Sequence, residues 1–195
     1  LQQPLSDAFA TLDEREQRVY ADSITAAYGA GQLTPSQLLA ALPQFASAKV
    51  RQTASAGMYN VAWMAEFLIK DDAERAKFRA GAADIYRPRL EALGMSPKQG
   101  EEDDDRLLRS NLIAYFADSL KDKGVRDMLA KQGRAVLGIG GDGKLNPDAA
   151  PRDVRGWALV MAVQDGDKSV FDATEKHFRA TQDAELRGQL LRALG

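Results

Sequence analysis

The sequence of 195 residues contains no cysteine and a single histidine, His177. The lack of cysteine excludes disulfides and thiol catalysis, and it suits the cytoplasm and the periplasm equally. A catalytic zinc normally needs three protein ligands, mostly histidine and cysteine, which one histidine cannot supply. The neighbours Glu175 and Lys176 predict that His177 is an ordinary surface residue on a partly exposed helix side. No strand–turn–helix elbow presents a serine for a Ser–His–acid triad, so the sequence predicts neither a catalytic nor a metal site.

An excess of positive charge and a long hydrophobic run are also lacking. The net charge is −2 with both signs interspersed, so we predict no nucleic-acid partner. No apolar run approaches the length of a membrane span, so we predict no membrane partner and a soluble protein. The N-terminal residues lack an initiator methionine and a signal-peptide pattern, so we expect a piece of a longer chain.

No stretch shows the alternation of apolar and polar residues that is typical of a half-buried strand. Apolar residues recur instead at three- and four-residue steps, which predicts helices throughout. We predict an all-α fold in which antiparallel helix pairs stack into an irregular HEAT/ARM-like superhelix. Residues 1–195 are predicted to form a single domain, with long helices over residues 5–94 and short helix pairs over residues 101–195. The predicted helices are Leu5–Thr11, Asp13–Ala30, Ser36–Phe45, Lys49–Lys70, Ala73–Leu93, a central helix after Gly100, Asp122–Leu137, Asp153–Gln164, Ser169–Arg179 and Ala184–Leu194.

The central helix is the most clearly marked segment. Five consecutive acids, Glu101–Asp105, precede an amphipathic run. Carboxylates in a first helical turn are stabilised by the helix dipole and by free backbone N–H groups. The acids lack the alternating oxygen ligands and turn glycine of a calcium loop, so we favour a helix start over a metal site. The predicted core positions of this helix are Leu108, Leu112, Tyr115, Phe116 and Leu120.

The segment Lys49–Lys70 is apolar on two sides. Tyr59, Trp63 and Phe67 form the second stripe, and a helix with two apolar sides is usually sandwiched between neighbours. We therefore interpret Trp63 and Trp157 as core residues rather than ligand platforms.

The glycine-rich segment Val136–Leu145 resembles both dinucleotide and phosphate loops. Such loops require a preceding strand and a following helix start, so that free N–H groups face phosphate. Here a helix precedes the loop, and Leu145 stands where a phosphate loop has serine or threonine. We interpret Gly138–Ala150 as an inter-helix loop.

Several segments together resemble the C-terminal helical domain of M1-family zinc aminopeptidases, of the aminopeptidase N and endoplasmic-reticulum aminopeptidase type. One segment resembles a helix start of that domain, and others resemble its early turn, a later helix start and its closing helices. These segments are Gly100-Glu101 with Asp105-Arg106-Leu107-Leu108-Arg109, then Gly29–Thr34, Asp153-Val154-Arg155, Phe171-Asp172, Thr181–Arg187 and Leu190–Gly195. The loop Gly138–Ala150 departs from the family by its length and glycine content.

The resemblance implies a HEAT-like, non-catalytic domain that walls the substrate cavity beside the catalytic domain of the same polypeptide. The parent enzyme would hold zinc in that catalytic domain and remove N-terminal residues from peptides, and this fragment itself would have no cofactor. We expect Arg106 and Arg109 to face the cavity, because the carboxylate of a peptide substrate needs a positive partner and the guanidinium fork fits it. The alternative is a stand-alone HEAT-like protein-interaction module.

Overall fold

The computed structural model of the protein describes residues 8–195, and this range is all-α, without a strand. The predicted fold class is therefore confirmed. None of the helices in this range is both long enough and apolar enough to cross a membrane. The chain divides into two compact units, one ending at Tyr115 and the other spanning Phe116–Gly195. The assignment of residues 1–195 to a single domain stays a prediction.

The first unit contains six α-helices among its described residues. They are α1 (Glu14–Gly29), α2 (Pro35–Ser47), α3 (Arg51–Ala54), α4 (Met58–Trp63), α5 (Asp72–Leu93) and α6 (Asp103–Ala114). Phe9–Thr11 forms a short 3₁₀ turn, and the rest of the predicted helix Leu5–Thr11 lies outside the described residues. Helix α6 runs on into a π-helical turn, Tyr115–Ser119.

Side-chain caps fix where α1 and α2 begin. Asp13 accepts a hydrogen bond from the N–H of Glu16, while the Glu16 side chain accepts one from the N–H of Asp13. Thr34 and Gln37 form the same reciprocal box at α2. Each box satisfies donors that the first helical turn leaves free, so these boundaries are set locally.

The predicted continuous helix Lys49–Lys70 is wrong. Gly57 adopts a left-handed conformation, with φ 81°, and separates α3 from α4. A π-helical turn, Met64–Leu68, then closes the segment. A Cβ atom at Gly57 would lie 2.6 Å from the Leu42 side chain, so the break also lets α2 approach. A single glycine is tolerated inside many helices, so Gly57 alone does not require a break in the local sequence. The break depends on the packing of α2 against this position.

The first unit has an aromatic core at its N-terminal end. The ring centroids of Phe9 and Tyr20 are 5.7 Å apart, and those of Tyr20 and Phe45 are 6.1 Å apart. Tilted and edge-on pairs at these distances stabilise a core beyond the area that they bury.

All five predicted core positions of the central helix, Leu108 to Leu120, are buried, which confirms the predicted face.

The second unit contains four α-helices: α7 (Lys123–Val136), α8 (Arg152–Gln164), α9 (Lys168–Ala180) and α10 (Ala184–Leu194). Helix α8 packs mainly against α7 and α10, and α10 also packs against α9. Their bounds lie within one residue of those predicted. Leu129, Leu159 and Leu190 are fully buried and form the centre of this core.

Gly133 lets α7 and α8 approach each other closely. A Cβ atom at this position would lie 2.1 Å from the backbone oxygen of Ala158 and 2.8 Å from the Cβ atom of Ala162. A backbone carbonyl cannot move aside without moving its helix. The two helices are therefore in backbone contact at Gly133.

We expect Gly133→Ala to lower the free energy of unfolding by about 3 kcal/mol, because overpacking forces the backbones apart. The matched control is Gly188→Ala in the exposed part of α10, where a Cβ atom meets nothing within 4 Å. That variant should gain about 0.5–1 kcal/mol, since alanine favours a helix interior over glycine. Urea unfolding of both variants measures the two effects. A Gly133→Ala variant as stable as the wild type would contradict the close approach.

Candidate functional site

The segment Gly100–Arg109 contains both predicted site residues, and one of them is buried. Arg109 is 1% exposed. Its Nη2 donates a hydrogen bond of 2.6 Å to Oε1 of Glu101, and its Nη1 donates to Oε2 of the same carboxylate. Gly100, with φ 73°, is left-handed immediately before Glu101 and turns the chain there. The two-point geometry fits a guanidinium to a carboxylate, so Arg109 already has an internal partner.

Asp104 and Asp105 of the acid run are also paired with arginines of the first unit. Arg51 of α3 donates to Asp104 through its backbone N–H at 3.2 Å and through Nε at 3.4 Å. Arg89 of α5 lies 3.5 Å from Asp105. These pairs link the first turn of α6 to two other helices. The acids therefore anchor the helix start in addition to complementing its dipole.

Arg106 lies on the exposed side of α6, with 46% of its side chain accessible. Its Nη2 donates a hydrogen bond of 2.9 Å to Asp103, one turn earlier. Leu107 beside it is 41% exposed. An exposed ion pair of this kind contributes little to stability and is readily exchanged for another anion. Of the two predicted site residues, Arg106 is the one that an external ligand can reach.

The hydrogen bonds from Arg109 hold the pKa of the Glu101 carboxyl below its ordinary value. Partial burial raises this pKa by a smaller amount, and the charges of Arg109 and Arg106 lower it further. A lowered pKa means that the folded chain favours the ionised carboxylate. The charged form of the pair is thus part of the native structure at neutral pH.

The prediction that His177 is a surface residue is wrong. His177 is 8% exposed and its Nε2 lies 3.1 Å from the carbonyl oxygen of Leu137. Since a carbonyl only accepts, Nε2 carries the hydrogen of this bond. The residue shares a buried side of α9 with Val170 and Thr174, whereas Glu175 and Lys176 lie off that side. Glu175 and Lys176 face away from the buried side of α9. Their charges therefore gave no information about the exposure of His177.

The glycine-rich loop follows a helix, α7, as predicted. Gly138, Gly140 and Gly143 all have positive φ, and the N–H groups of Gly141 and Gly143 both donate to the carbonyl of Gly138. A Cβ atom at Gly138 would lie 2.3 Å from the carbonyl oxygen of Lys144. The glycines thus close the loop on itself, and these two amides are directed inward.

The second aromatic stripe is not sandwiched, so the prediction that Trp63 is a core residue is wrong. Tyr59, Trp63 and Phe67 are 78%, 39% and 55% exposed, and the rings of Trp63 and Phe67 lie 5.6 Å apart. Val61, Met64 and Ala65 form the buried side of the same segment. Trp157 is half-buried on α8. Helical spacing showed that the aromatic residues share a side but not whether that side is covered.

Metal ligands do not converge within residues 8–195. No group of three or more histidine, cysteine, aspartate or glutamate side chains in this range is placed to hold an ion. The donor set does not fit a catalytic zinc, because the whole sequence has one histidine and no cysteine. The one histidine is engaged with Leu137.

Sequence reasoning missed the arginines that hold the acid run. Arg51 and Arg89 lie far from Asp104 and Asp105 in the sequence, so no local spacing reveals them. The Glu101–Arg109 pair also had no local signal, because its partners are eight residues apart and the spacing of helical pairs is three or four.

The comparison with protein families found a match that covers the whole chain. The model described as the ERAP1-like C-terminal domain matches residues 1–195. A search of curated proteins found no match.

We expect Glu101→Gln to lower the stability at neutral pH and to flatten its dependence on pH. The pKa of Glu101 is lowered in the folded chain, so its stabilising effect is complete above the unfolded value of about 4.3. This effect is lost as the pH falls through the folded pKa. Urea unfolding between about pH 7 and pH 3 measures the two curves. The control is Asp103→Asn in the exposed first turn, which should lose only the small contribution of an exposed charge at the helix start and keep most of the wild-type pH dependence. Parallel curves for Glu101→Gln and wild type would contradict this role.

Proposed function

The chain belongs to the ERAP1-like C-terminal domain family, the C-terminal domain of M1 aminopeptidase-type proteins, and on this premise we propose that it serves a zinc aminopeptidase as a non-catalytic domain. Its share of the reaction is to wall the substrate cavity and to help admit and position peptides. The family match over residues 1–195 is the observation that carries this proposal.

The donor set supports a division of labour between this chain and a catalytic domain. The residues of this chain do not fit zinc, as described above, so the metal would be held by residues outside the chain. What the described residues offer is a helical surface with fixed charges. Such a surface acts on a peptide by shape and by electrostatic attraction rather than by bond-breaking chemistry.

Arg106 is the residue that we assign to peptide contact. Its accessible guanidinium can release Asp103 and bind the carboxylate of a peptide, because each of these two anions is a carboxylate with two acceptor oxygens. Arg109 instead supports Arg106 from within, since its pair with Glu101 fixes the start of α6. The two arginines one turn apart thus have separate roles.

A stand-alone HEAT-like interaction module is the second candidate function. The exposed stripe of Tyr59, Trp63 and Phe67 favours it, because exposed aromatic clusters are enriched where proteins bind one another. If the chain is instead part of an aminopeptidase, the catalytic domain could pack against the same aromatic stripe. The two candidates differ in whether the parent polypeptide carries metal and cleaves peptides.

The first test is to measure zinc content and alanine-anilide hydrolysis for this chain and for the full-length polypeptide from the same gene. We expect about one zinc per full-length polypeptide together with cleavage, and neither for residues 1–195 alone. A full-length polypeptide that holds no zinc and cleaves nothing would overturn the aminopeptidase proposal and favour the interaction module.

The second test places Arg106→Glu in the full-length enzyme. We expect KM for peptides to rise roughly fivefold, equivalent to about 1 kcal/mol, while KM for alanine anilide stays unchanged. The matched control is Arg18→Glu, since Arg18 is similarly exposed and pairs with Asp22 within its own helix. Equal changes for peptide and anilide would contradict a contact with the distal part of the peptide.

A further inference from the structure

A surface cavity of about 510 Å³ lies beside α7 within the unit Phe116–Gly195. Helix α7 contributes both charged and small residues to its wall, and Ile139 and Asp165 complete it. The lining contains two cations, Lys131 and Arg134, and three apolar residues, Ala130, Ala135 and Ile139. Two acids, Asp127 and Asp165, also line the cavity, so it suits an organic anion to the extent that these acids have other partners.

The two acids of the wall already have partners. Asp165 accepts hydrogen bonds from Nε of Arg126 at 3.0 Å and from Nη2 at 2.5 Å. The Nη1 of Arg126 also donates to the carbonyl of Ala117, so Arg126 is held in place. Asp127 pairs with Lys123 at 2.5 Å. Asp165 is therefore held by a cation other than Lys131 and Arg134, whereas Asp127 has only an exposed pair with Lys123 in its own helix.

Lys131 and Arg134 are one helical turn apart, which places their side chains on neighbouring positions of the α7 surface. Neither forms an ion pair with a residue of the described range. A further acid that Arg134 influences is Asp167, whose carboxylate caps α9 through the N–H groups of Ser169 and Val170. Arg134 adds a small electrostatic contribution there, after the hydrogen bonds from Ser169 and Val170 that lower the pKa of Asp167.

We propose that this cavity binds a small aliphatic monocarboxylate. The fork of Arg134 receives the two carboxylate oxygens, and Lys131 supplies a second positive charge. The aliphatic part of the ligand lies against Ala130, Ala135 and Ile139. The apolar wall favours an organic acid over inorganic phosphate, and the nearby carboxylates disfavour a dianion. This inference does not depend on the proposed function.

The shared chemistry could come from a free acid or from the carboxyl end of a peptide. Isovalerate represents the free acid, N-acetyl-leucine represents the peptide end, and isovaleramide is the neutral isostere of isovalerate. Inorganic phosphate tests whether charge alone is enough. Ligand-observed saturation-transfer NMR on the full-length polypeptide suits affinities in the millimolar range.

We expect isovalerate to bind with a Kd on the order of 1 mM and Arg134→Gln to weaken binding at least about tenfold. Lys131→Gln should weaken it less, and this variant keeps the test valid if Arg134→Gln does not fold. The matched control is Arg179→Gln, an exposed arginine of the same unit paired with Glu175, which should bind as the wild type does. Displacement of isovalerate by N-acetyl-leucine would assign the site to a peptide end, and a lack of displacement would assign it to a free acid.

Three results would overturn the proposal. The first is unchanged binding of isovalerate in both Arg134→Gln and Lys131→Gln. The second is equal binding of isovaleramide, which would show that the carboxylate is not recognised. The third is displacement of isovalerate by inorganic phosphate at equal concentration, which would identify a general anion site. Because none of these readouts uses hydrolysis, their outcome is separate from that of the aminopeptidase tests.

Discussion

The ion pair between Glu101 and Arg109 is the constraint around which the first unit is arranged. A guanidinium that is 1% exposed requires a carboxylate partner, because an unpaired charge in that position would be strongly destabilising. Gly100 turns the chain so that Glu101 can reach back to α6, and Asp104 and Asp105 then engage the arginines of α3 and α5. The acid-rich segment is thus a set of directed contacts that fixes one helix among its neighbours.

This arrangement separates the structural residues of the segment from those open to a ligand. Arg109 and Glu101 are committed to each other, whereas Arg106 projects from the same helix into solvent. A rigid base with an accessible cation is a good platform for positioning a charged substrate, since little side-chain freedom remains to be lost in the supporting residues. The chain belongs to the family that forms the C-terminal domain of M1 aminopeptidase-type proteins.

Much of the fold could be predicted from local sequence, and the rest depended on tertiary contacts. The helices of the second unit were located within one residue, because a cap such as Asp183, whose side chain accepts from the N–H of Leu186, acts over a single turn. The break at Gly57 and the buried position of His177 were not predicted, since each depends on a helix distant in the sequence. Periodicity likewise grouped Tyr59, Trp63 and Phe67 correctly but could not reveal that nothing in the described range covers them. For the candidate site, local spacing placed Arg106 and Arg109 one turn apart on a helix but could not show their different exposure, and their place in a substrate cavity stays a prediction.

The backbone contact at Gly133 has a consequence for how this protein can diversify. At Gly133 the approach of α7 and α8 is limited by main-chain atoms, and the remaining contact is made by buried residues such as Leu129, so outward-facing residues of α7 do not set it. Residues on the outer side of α7, such as Lys131 and Arg134, can then be substituted during evolution without changing how α7 packs on α8. A descendant of this protein could acquire a different ligand preference through a few outward substitutions while keeping the same skeleton.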